Sequence, residues 1–121
     1  MEIGNLQKDT PKGVRKGKAF MEKERLIDNY NSLVPTMNKL QQDGLDIWEE
    51  HDNMSGYGFK AIGEKKWIQV SIHHYFNEPN KFVVCCYERK GNYFDFISNK
   101  LLGRKDTQNY EQVYEIIKEL F

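Results

Sequence analysis

Between Ala19 and Gly44 the apolar residues recur at Leu26, Tyr30, Leu33, Met37 and Leu40, with Ile27 and Val34 beside them. This three-to-four spacing predicts one face of an amphipathic helix. Pro35 interrupts the pattern. It has no amide donor and its ring crowds the preceding turn, so the segment either kinks or starts a second short helix with Ser32 as its cap. Gly44 ends it in both cases.

Beyond Gly44 the period changes from 3.6 to 2, and strands are expected at about 45–51, 57–62, 66–76, 81–89 and 92–98. Gly63-Glu64-Lys65, Asn77-Glu78-Pro79-Asn80 and Lys90-Gly91-Asn92 supply turn chemistry between them. Connections this short predict an antiparallel meander. The third strand alternates most clearly, with Ile68, Val70, Ile72 and Phe76 assigned to the core and Trp67, Gln69, Ser71, His73 and Tyr75 to the opposite face. Near the end, Tyr110, Val113, Tyr114, Ile117, Leu120 and Phe121 form an apolar stripe over about 108–121, and Asn109 with Gln112 resembles a capping box. The expected fold class is therefore α+β. It is a two-layer sandwich of an N-terminal helix, a five-stranded antiparallel meander and a C-terminal helix, with both helices on one face of the sheet.

Residues 1–18 read differently. They hold three glycines, Pro11 and the cations Lys8, Lys12, Arg15, Lys16 and Lys18 against Glu2 and Asp9, and predict a flexible basic arm ahead of a single domain spanning 19–121. At 121 residues one domain with a true core is expected, and 39% hydrophobic with 13% aromatic content is far from a disordered composition. The 18 basic and 18 acidic residues cancel, but not uniformly. Residues 1–25 carry seven Lys or Arg and four Asp or Glu, and residues 26–121 carry eleven and fourteen, so a basic arm of +3 is joined to a body of −3. That distribution disfavours the body as a phosphate binder and leaves the arm as the candidate contact for an anion.

No apolar run approaches the roughly 18 residues needed to cross a bilayer, and no apolar core follows the Lys-rich start, so a cytoplasmic protein without membrane association is expected. Cys85 and Cys86 are adjacent, point to opposite faces of a strand and do not bridge to each other.

The candidate chemistry starts on the outer sheet face. Trp67, His73 and Tyr75, joined by Tyr87 and Tyr93 according to register, form a row of aromatics that would anchor a protein partner or stack unpaired bases. A covering loop, or a sheet curled around the first helix, would make the same rings core. Lys12, Arg15, Lys16 and Lys18 are the candidate phosphate contacts. The stretch Asp46, Glu49, Glu50, His51, Asp52 splits between two faces and lacks a full metal-ligand set on either, so an acidic edge for a basic partner is the better reading.

Glu64-Lys65-Lys66 has the Glu-x-Lys pattern of a metal-dependent nuclease, with Asp46, Glu50 or Asp52 upstream, but it falls on a turn. His73-His74 and Cys85-Cys86 do not reach a zinc set, and nothing local activates a thiolate. Gly56-Tyr57-Gly58 and Gly103-Arg104-Lys105 lack the spacing of a nucleotide-binding loop, so no cofactor is implied and the second reads as a loop with two surface cations. The expectation is a small non-enzymatic binding module acting on a protein partner as an inhibitor, immunity or accessory protein, of bacterial or phage type. It would use Trp67, His73, Tyr75, Tyr87, Asp46 and Glu50. Single-stranded nucleic-acid binding by the arm and the aromatic face, and a metal-dependent nuclease, are the alternatives.

Overall fold

Pro35 acts as a restart. In the computed structural model, which describes residues 18–52, 56–73 and 80–121, helix α1 (Lys18–Ser32) ends one turn before the proline and helix α2 (Val34–Gln42) begins beside it. Pro35 occupies the first turn of α2, where its missing amide costs nothing. The cap residue is Leu33, not Ser32, whose hydroxyl donates back to the Asp28 carbonyl at 2.9 Å. Leu26, Tyr30, Leu33, Met37 and Leu40 are all buried, so the two helices present one continuous apolar face across the bend.

That face lies on a sheet of five antiparallel strands in the order β1 (Asp46–Asp52), β2 (Gly56–Ile62), β3 (Lys66–His73), β4 (Lys81–Glu88) and β5 (Leu101–Thr107). Register sets which side chains meet. Ile68 lies between Ala61 and Cys86, Val70 between Phe59 and Val84, and Ile72 is opposite Phe82, giving rows that pack under α1, α2 and the C-terminal helix α3 (Val113–Leu120). Gly58 is required in this packing: a Cβ there would sit 2.0 Å from the Val70 carbonyl oxygen. A short 3-10 turn at Tyr110–Gln112 leads into α3, with the Asn109 side chain accepting from the Glu111 amide at 2.9 Å. Among the described residues no helix is long and apolar enough to cross a membrane.

The fifth strand is displaced from its expected place. Residues 92–98 are not a strand: the Asp95 carboxylate accepts from the amides of Ile97 at 2.9 Å and Ser98 at 2.6 Å, folding the segment into a side-chain-closed turn. The fifth strand is Leu101–Thr107, so Gly103, Arg104 and Lys105 are strand residues rather than a loop. It is an edge strand rich in charge, and its pattern is weak because only one flank is paired.

Candidate functional site

The loop between β4 and β5 crosses the sheet face away from the helices and is built as a rigid piece. Arg89 holds its base with three groups: Nη1 donates to the Gly63 carbonyl at 2.9 Å, Nε to Gly91 at 3.0 Å and Nη2 to the Asn92 side chain at 2.9 Å. The Arg89 guanidinium also lies 5.1 Å from the centre of the Phe94 ring. Phe94 turns inward and meets Trp67 and Trp48 edge to face, at 5.9 and 5.1 Å. At the far end Asn99, 4% exposed, accepts from Trp67 Nε1 at 2.7 Å and donates to the Tyr93 carbonyl at 2.8 Å.

This cover changes the status of the expected aromatic row. Trp67 is 1% exposed, stacked on Tyr87 at 4.5 Å and closed over by Phe94, so the expectation of an open ring at this position is corrected. Tyr87 is half-buried in the same stack, and burial pushes its phenol upward. His73 ends β3 opposite Lys81, and partial burial, with Lys81 and Arg104 nearby, holds its imidazole below the ordinary histidine range. Tyr75, Lys12, Arg15 and Lys16 lie outside the described residues, and Lys18 is the first residue of α1.

What the loop hides on one side it replaces on the other. Tyr93 and Phe96 are each 75% exposed and Ile97 is 83% exposed, three large apolar side chains within five positions. Trp48, 44% exposed, borders them through Phe94, and Leu101 extends the apolar surface onto β5. The rim toward β1 is acidic. Asp46 accepts from Trp48 Nε1 at 3.0 Å, and Glu50 pairs with Lys60 while accepting from Gln69 at 2.7 Å. Asp46 and Glu50 are thus brought to the same face as Trp48, whereas Glu49 points to the helix side and accepts from the Tyr30 hydroxyl.

Sequence reasoning missed Trp48, Phe94, Phe96 and Ile97 as a unit. The readable signal was Asp95 followed two and three positions later by amides it can cap, beside the turn-forming Gly91-Asn92.

The remaining candidates are dispersed. Glu64 is exposed on the β2–β3 turn, and Lys66 Nζ donates to the Phe121 carbonyl at 3.1 Å. Among the described residues no three potential metal ligands come together. Cys86 sits in the core and Cys85 on the opposite face, and burial raises both thiols above their ordinary range. No protein-family model, curated protein or solved structure matches the chain.

Proposed function

We propose that the protein is a binding module whose loop tip, Tyr93, Phe96 and Ile97 with Trp48 beside them, docks on a partner protein. The observation that carries this reading is the pairing of extreme apolar exposure with an anchored backbone. Full burial of one large apolar side chain contributes about 1.5–3 kcal/mol, and interface energy concentrates in a few such residues. A loop already held by Arg89, Asp95 and Asn99 loses little conformational freedom on docking, which lowers the cost of association. Asp46, beside Trp48 on this face, favours a partner that sets a basic residue at the border of an apolar patch.

Stacking of bases on Trp67 is the weaker alternative, because the ring becomes accessible only when the loop leaves the sheet. Affinity capture from host lysate, with nuclease treatment, tests both. The wild-type chain should retain a stoichiometric protein after nuclease treatment, and Phe96→Asp with Ile97→Asp should lose it. Capture that is unchanged in the double variant refutes the loop as the contact, and capture abolished by nuclease transfers the reading to nucleic acid.

A further inference from the structure

On the other side of the sheet, α1 and the β1 edge border an open cleft of about 280 Å³ lined by Ile27, Tyr30, Asn31, Glu49, His51 and Tyr57. We propose that this cleft binds an alkylated ammonium group, held by three aromatic rings and one carboxylate. His51 and Tyr57 are direct partners across β1 and β2. Tyr30 descends on them from α1, with ring centres 5.5 Å from His51 at 59° and 6.0 Å from Tyr57 at 74°. The three rings pack on one another at inclined angles along one side of the cleft, with Tyr30 the most buried of them. Aromatic faces attract a cation, and an alkylated one is more weakly hydrated than a bare ammonium and so gives up less water on contact.

Glu49 supplies the charge. The Tyr30 hydroxyl donates to Glu49 Oε1 and fixes the carboxylate at the ring cluster. Burial, followed by the Glu49 hydrogen bond, raises the Tyr30 phenol well above its ordinary range, so it stays a neutral donor. None of the cleft-lining residues is Lys or Arg, and a carboxylate among them repels an anion. A hard metal ion wants several oxygens, and no three potential ligands gather among the described residues. The volume lies just under the roughly 300–1,000 Å³ of small-molecule pockets, which matches a head group rather than an extended ligand. Such a group occurs on free quaternary amines and on methylated lysine side chains. The site is independent of the loop on the opposite sheet face.

The test is an NMR titration of the wild-type chain with choline, with its neutral isostere 3,3-dimethylbutanol, and with a glycine-flanked trimethyllysine peptide. Ring resonances of Tyr30, His51 and Tyr57 should shift saturably with choline or the peptide, and binding of the alcohol should be at least about tenfold weaker. Tighter binding of the peptide assigns the group to a protein, and tighter binding of choline assigns it to a free amine. His51→Leu, at an exposed position, should weaken the cation about tenfold, while Tyr57→Phe, which keeps the ring, should leave it nearly unchanged. Equal binding of the alcohol, absence of saturable shifts with both cations, or shifts confined to the Trp48–Tyr93 surface overturns the proposal.

Discussion

Replacing Asn99 by Ala removes the latch that joins the β4–β5 loop to the sheet. The side chain is 4% exposed, and its Oδ1 is 2.7 Å from Trp67 Nε1, an indole N–H inside the aromatic stack. Without Asn99 that donor has no partner among the described residues and little access to water. An unsatisfied buried donor costs about 1–3 kcal/mol. The Tyr93 carbonyl loses its 2.8 Å donor as well, but it lies at the loop surface where water can replace it. The expected loss is thus about 2 kcal/mol, or a fall in Tm of roughly 6–10 °C for a chain of this size.

Urea unfolding reads the loss, and indole fluorescence locates it. Trp67 is enclosed and Trp48 is part-exposed, so loosening the loop should shift emission to the red and increase acrylamide quenching beyond the Trp48 contribution. A cycle with Trp67→Phe, which keeps a ring but has no N–H, should give a coupling of about 1 kcal/mol or more with Asn99→Ala. A stability within about 0.5 kcal/mol of the parent, or a coupling near zero, would refute the latch.

Gly58→Ala should destabilise the protein by several kcal/mol or prevent soluble expression, because the added Cβ lies 2.0 Å from backbone that is fixed in the β2–β3 ladder; urea unfolding checks this. Phe96→Asp with Ile97→Asp should leave the urea midpoint nearly unchanged, since both side chains are already in water and nothing is uncovered. His73 has a depressed pKa, mainly from burial, so the folded state binds its proton less tightly than the unfolded chain does. Its contribution is present above the ordinary pKa of about 6.5 and is lost as pH falls through the folded value. The urea midpoint of the wild type should therefore drop more than that of His73→Gln between about pH 7.5 and pH 5, and NMR titration of the imidazole should give a midpoint below 6.5.

Local periodicity was enough to determine the element types of the helices and of the first four strands, because a helix facing a core repeats every 3.6 residues and a strand every two. Leu26 to Leu40, the Ile68, Val70, Ile72 row and Val113 to Ile117 are buried where their spacing put them. Pro35 and Gly44 were legible as breaks for equally local reasons. Two things escaped that logic. Residues 92–98 are rich in the aromatic and β-branched side chains that strands favour, but Asp95 captures its neighbours' amides and removes them from any ladder. Leu101–Thr107 is polar, and it becomes a strand because β4 offers an unpaired edge.

The exposure of the outer aromatics lay beyond any local reading. Alternation places Trp67 on the outer face, but only the path of a loop 25 and more residues later decides that Phe94 and Asn99 cover it while Phe96 and Ile97 remain in water. The cleft at Tyr30, Glu49, His51 and Tyr57 joins a helix to two strands in the same way. Sequence by itself determined which residues could form each layer, through short-range sterics and periodicity. Tertiary structure alone decided which face stayed open, because burial is settled by contacts between segments far apart in the chain.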